Sequence, residues 1–160
     1  MTALEKMFEK LCREQAQAEH STELHPAREA RRLGATPPAR AFRALSDHAR
    51  QLQPAFVEAL GPGHLIDRVA GRLAAKIFSA SRHLVLDHLT EPERSYRGTL
   101  LGLKHGVDCA RLLTRVATNV GEPALARWCT QMLAERVPLL AAAEDALAWF
   151  ADHPGRAIAG

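Results

Sequence analysis

The stretch from Glu122 to Asp152 constrains the fold most, because apolar residues recur along it at spacings of three, four and seven. This periodicity places them on one face of an α-helix. The members of this stripe are Leu125, Cys129, Met132, Leu139, Ala143, Leu147 and Phe150. At ~1.5 Å per residue, such a helix would be ~45 Å long. A helix of this length with one apolar face needs several partners to cover it, so we expect a helical bundle.

Start and stop signals divide the rest of the chain into further helices. A capping-box sequence begins at Thr2, a cap followed by proline begins at Thr36, and glycines or prolines follow each apolar stripe. We predict helices over about 3–33 with a break near Pro26, 37–60, 64–89, 91–119 and 122–152. Short connections favour antiparallel neighbours. The sequence therefore predicts one all-α domain over 1–160, an up-down bundle of four long helices plus an N-terminal helix.

Composition narrows the class of protein. Apolar residues make up 47% of the chain, which excludes wholesale disorder, and no apolar run approaches the ~20 residues of a membrane span. The first ten residues resemble neither a signal nor a transit peptide, and the three cysteines form no CxxC pair. We therefore expect a cytoplasmic protein without a membrane partner. The net charge of +3, with acids and bases well mixed, says little about other partners.

Histidine is the only reactive residue type that is enriched, with eight in the chain. His105 and Asp108 are three residues apart, so they share a helix face and can form a pair. Such pairs more often make a satisfied polar contact than a ligand set. The alternative is a ligand- or metal-binding site where side chains from the middle of several helices converge. Its candidate residues are His48, His105 and Asp108, together with Glu19 or Glu23.

Two stretches resemble the small bacterial ferritin-like bundle proteins. Leu45-Ser46-Asp47-His48, followed by Leu52 and Phe56, resembles their second helix. The stretch over 121–147, with Glu135 and Glu144, resembles their last helix. The resemblance implies a helical bundle of ferritin-like outline. Ferritin-like bundles bind metal through Glu-x-x-His repeats, and this repeat occurs nowhere in the chain. We therefore predict no bound metal and no cofactor.

Two other function classes receive little support. Arginines gather in the first third of the chain, but aromatic residues for base stacking are nearly absent there, so nucleic-acid binding is not expected. These arginines are Arg28, Arg31, Arg32, Arg40, Arg43 and Arg50. Cys109 follows His105 by four residues, yet no oxyanion hole or phosphate loop accompanies the pair. We therefore do not expect an enzyme.

The remaining patterns favour association of the bundle with a protein partner or with itself. Gly98, Gly102 and Gly106 form one row along the fourth predicted helix, where a second helix can approach closely. Trp128 and Trp149 add aromatic anchors on the last helix. We predict a homodimer with these five residues at its interface, because two-fold dimers are the commonest oligomers. The ligand-binding bundle remains the alternative.

Overall fold

The computed structural model describes residues 1–61 and 91–158, and these ranges consist of helices joined by short turns. The helices are α1 (Ala3–Leu33), α2 (Pro37–Ala59), α3 (Pro92–Val120), α4 (Pro123–Asp145), α5 (Ala148–Asp152) and α6 (Pro154–Ile158). The prediction of an all-α helical bundle is confirmed. The predicted helix over 64–89 lies outside the described residues.

The sequence signals at the helix ends act as expected. The Thr2 hydroxyl accepts a hydrogen bond from the backbone N–H of Glu5 at 3.2 Å, and the Glu5 carboxylate accepts one from the Thr2 N–H at 2.6 Å. This reciprocal pair satisfies two backbone donors at the start of α1. Gly34 and Gly121 follow α1 and α3 with φ angles of 70° and 83°, a backbone region that favours glycine. Local chemistry therefore sets these boundaries.

Two boundaries differ from the sequence predictions. α1 continues through Pro26, which is fully buried, so packing of the ring outweighs the lost backbone hydrogen bond. The predicted helix over 122–152 is divided, because α4 ends at Asp145 and α5 begins at Ala148. The turn between α4 and α5 places Phe150 in the core, with its ring 5.3 Å from that of Tyr96.

The four long helices form a closed ring in the order α1, α2, α4, α3, so that α1 and α4 lie on one diagonal. Paired contacts give the directions. Along α1 and α3, Leu11 contacts Cys109 and Glu29 contacts Ser95, so these helices are antiparallel. The same reasoning makes α2 antiparallel to α1 and to α4. α2 and α3 therefore run in the same direction. The last residues of α2 and the first residues of α3 lie at different ends of the bundle.

The core consists of two apolar clusters stacked along the bundle. The first cluster holds Leu11, Cys12, Ala16, Phe56, Cys109, Ala110, Leu113, Val116, Ala117, Leu125, Trp128, Cys129 and Met132. The second holds Ala30, Leu33, Ala39, Phe42, Leu45, Tyr96, Leu100, Leu103, Val107, Leu140, Ala143, Phe150 and Ala157. On α1, α2 and α4 the two clusters are separated by a stretch that contributes buried polar side chains.

Candidate functional site

A buried ion pair crosses the bundle between the two apolar clusters. Both guanidinium Nη atoms of Arg136 on α4 donate to the carboxylate of Glu19 on α1, each at 2.8 Å. The exposed fractions of Arg136 and Glu19 are 3% and 4%. Charges this deep are costly unless they are paired with good geometry, and the two-pronged contact supplies that pairing. The pair therefore joins the two helices of one diagonal through the middle of the core.

His48 on α2 extends the pair toward the surface. Arg136 Nε donates to His48 Nδ1 at 3.0 Å, and because this nitrogen must accept, the imidazole proton resides on Nε2. His48 Nε2 therefore donates to the Glu135 carboxylate, also at 3.0 Å. Burial and the positive charge of Arg136 lower the pKa of His48 below its ordinary value. The folded structure therefore favours the neutral form of His48.

The outer and inner ends of this network differ. At the surface, hydrogen bonds from Gln131 and His48 to the half-exposed Glu135 lower the pKa of Glu135. Inside, Gln15 Nε2 donates to Glu19 at 2.9 Å, and Gln15 itself has no exposed surface. We call these five side chains, Gln15, Glu19, His48, Glu135 and Arg136, the polar layer. Its charges satisfy one another, and its hydrogen bonds link α1, α2 and α4 at one level of the bundle.

The predicted ligand set is only partly assembled. Glu19 and His48 meet in the polar layer, but His105 and Asp108 lie on an exposed side of α3, away from the core. Asp108 pairs instead with Arg111 at 2.8 Å. Across the described ranges, no group of three or more His, Cys, Asp or Glu side chains is arranged to hold a metal ion.

Sequence reasoning missed Arg136, the residue that organises the layer. The signal was present, since Arg136 lies four residues after Met132 and four before Leu140, on the buried side of α4. A charged residue within an apolar stripe indicates a buried partner on a facing helix.

A groove of about 400 Å³ lies between α1 and α3 and contains two of the predicted interface glycines. We call it the α1/α3 groove. Its lining consists of Glu14, Gln17, Ala18, Ser21, Thr22, His25 and Pro26 from α1, and Gly98, Thr99, Gly102, Leu103 and His105 from α3. The predicted ligand residue His105 therefore lies in this groove.

The three glycines of the row have different surroundings. A Cβ atom at Gly106 would lie 3.2 Å from the Cβ of Ala18, a tight contact within the chain. Among the described residues, no atom lies within 4 Å of a Cβ atom placed at Gly98 or Gly102. α1 and α3 thus approach closely at Gly106, and packing between the described residues does not require the other two glycines.

A second cavity of about 360 Å³ continues the groove toward the start of α3, and we call it the upper groove. It shares His25, Gly98 and Thr99 with the α1/α3 groove and adds Arg28, Glu29, Arg94 and Ser95.

Glu29 is the unusual member of the upper groove, because this acidic residue is only 5% exposed. The Ser95 hydroxyl donates to Glu29 Oε1 at 2.7 Å. The other oxygen, Oε2, is buried and finds no hydrogen-bond partner among the described residues. The neighbouring Arg94 is exposed and forms no ion pair within the described part of the chain.

The two tryptophans occupy different environments. Trp128 is 5% exposed, its ring lies 4.4 Å from that of Phe56, and its indole N–H donates to the Leu52 carbonyl. Because Trp128 packs within its own chain, it presents no exposed ring to a partner. Trp149 is half-buried and stacks on His153 at 4.4 Å.

All three cysteines are buried, free thiols. Burial raises the pKa of Cys12 and Cys129 to about 12 and that of Cys109 to about 11. Because the thiolate is the nucleophilic form, these side chains are unreactive near neutral pH and contribute packing.

No protein-family model, curated protein or solved structure matches this chain. The resemblance to ferritin-like bundle proteins therefore gains no support from these comparisons. In the part of the chain that the structure describes, no helix combines the length and apolar character needed to cross a membrane.

Proposed function

We propose that this protein is a non-enzymatic helical bundle that acts through self-association, with a second copy packed along the α1/α3 groove. The supporting observation is the surroundings of Gly98 and Gly102, where a methyl group would contact none of the described residues. Glycine within a helix costs about 1 kcal/mol relative to alanine. A partner helix that approaches closely gives these two glycines a use that contacts between the described residues do not.

Exposed apolar side chains on the same two helices support this surface. Leu101, next to Gly102, is 71% exposed, and Leu24 on α1 is 45% exposed. Exposed apolar residues of this size near a groove favour a protein partner, because covering them removes apolar area from water.

The double substitution Gly98→Ala/Gly102→Ala tests the proposal. We expect the free energy of unfolding of the monomer to rise by about 1 kcal/mol per site, because alanine favours the helix. Association should weaken, because the two methyl groups separate the copies. Sedimentation equilibrium gives the dissociation constant, and urea unfolding gives the stability.

Gly106→Ala is the matched control. Its new methyl group meets Ala18 of the same chain, so it should strain the monomer without changing the outer side of the groove. A double variant that is more stable but associates as tightly as the parent would contradict the proposal.

The cysteines support placing this activity in the cytoplasm. A reducing compartment preserves free thiols, and Cys12, Cys109 and Cys129 are all free and packed in the core. Fractionation of cells that produce the tagged protein checks this placement, and recovery outside the cytoplasm would contradict it.

A further inference from the structure

We propose that the upper groove binds a small zwitterion of the α-amino acid type, with the ligand's ammonium group at Glu29 and its carboxylate at Arg94. This site goes beyond the self-association proposed above and rests on different side chains. Two opposite charges from facing helices line one cavity, and Glu29 has an oxygen without a partner among the described residues.

Glu29 indicates the positive part of the ligand. A buried carboxylate is costly unless donors surround it, and within the described ranges one hydroxyl, that of Ser95, donates to one of its oxygens. An ammonium group is a compact cation with three donors, so from the cavity that Glu29 lines it can pair with the carboxylate and neutralise its charge. The burial of Glu29 also makes this contact stronger than it would be in water.

Arg94 indicates the negative part. It directly precedes Ser95, which contacts Glu29, so the Cα atom of Arg94 lies ~3.8 Å from that of Ser95. The guanidinium group has no ion-pair partner in the described residues and can take a carboxylate in a two-pronged contact. Arg94 also lies in the first turn of α3, where the helix dipole favours an anion.

The two charges together select the ligand class. Among the residues that line this cavity, Arg94 would repel a simple amine and Glu29 would repel a simple carboxylate. A ligand that carries both charges close together can pair with Glu29 and with Arg94 at the same time. The half-buried hydroxyls of Ser95 and Thr99 add polar groups that can orient it. The cavity volume of about 360 Å³ is ample for such a molecule.

Three matched probes test the proposal by NMR titration of the full chain: glycine, methylamine and acetate. Methylamine lacks the carboxylate of glycine, and acetate lacks the ammonium group. We expect glycine at millimolar concentration to shift the amide signals of Ser95 and Thr99, and the other two probes to bind at least about tenfold more weakly. Absence of glycine binding, or equal binding of all three probes, would overturn the proposal.

Single substitutions locate the site. Glu29→Gln keeps an acceptor for Ser95 but removes the charge, and Arg94→Gln removes the guanidinium at an exposed position. Each should weaken glycine binding roughly tenfold or more. Arg31→Gln, which changes an exposed arginine of α1 outside the cavity lining, should leave binding unchanged. If Glu29→Gln fails to fold, Arg94→Gln decides, and unchanged binding in that variant refutes the assignment.

Discussion

Removal of Arg136 alone should destabilise the bundle strongly, because it leaves Glu19 as an unpaired buried charge. Glu19 is 4% exposed and loses two hydrogen bonds of 2.8 Å, and His48 loses the donor to its Nδ1 atom. Breaking a buried pair from one side typically costs about 3–5 kcal/mol. We therefore expect Arg136→Met to lower the free energy of unfolding by this amount.

The double variant Glu19→Leu/Arg136→Met separates the charge effect from the loss of packing. With both charges gone, apolar groups of similar size fill the space, and such replacements are often neutral or stabilising by about 1–4 kcal/mol. The double variant should therefore be more stable than either single variant, as measured by urea unfolding at one pH.

An exposed ion pair on α1 supplies the control. Lys10 and Glu14 are 3.6 Å apart and mostly exposed, so Lys10→Met should cost no more than about 1 kcal/mol. A loss below about 1 kcal/mol for Arg136→Met as well would refute the reasoning. So would a double variant whose loss equals the sum of the two single losses, because it would show that the two charges do not interact.

Three further outcomes follow from the core. Because the pKa of His48 is lowered in the folded state, its contribution to stability is complete above the unfolded value of about 6.5 and is lost as the pH falls toward the folded value. Urea unfolding from pH 7 to 5 should show this loss. A His48→Gln variant whose free energy of unfolding falls as much as that of the parent protein over this range would contradict it. Leu103→Ala should cost about 2–5 kcal/mol in urea unfolding, because Leu103 is 4% exposed in the second cluster, and a loss below about 0.5 kcal/mol would place it at the surface. Tyr96→Phe should cost about 1 kcal/mol in thermal unfolding, because it removes a 2.8 Å hydrogen bond to the Ala143 carbonyl, and an unchanged midpoint would contradict that role.

The fold was largely predictable because its signals are local. Caps such as Thr2 and Thr36 and C-terminal glycines such as Gly121 act through the backbone of a few neighbouring residues. The break expected at Pro26 was wrong because its outcome depends on residues that are distant in the sequence. Whether a buried proline ends a helix depends on how tertiary packing holds the helix, and local sequence does not contain that information.

The candidate sites were less predictable, because each depends on contacts between helices. Glu19 and His48 could be selected by residue type, but their common partner Arg136 is 117 positions from Glu19. Gly98, Gly102 and Gly106 are equivalent in sequence spacing, and in the described residues the contact with Ala18 on α1 distinguishes Gly106 from the other two. The side of α3 that faces α1 is set by tertiary packing.

Static light scattering of the purified chain at micromolar concentration tests the central claim most directly. Self-association along the α1/α3 groove predicts a mass about twice that of the monomer. The Gly98→Ala/Gly102→Ala variant should shift toward the monomer mass at the same concentration. A single-chain mass for the parent protein throughout the micromolar range would contradict the account.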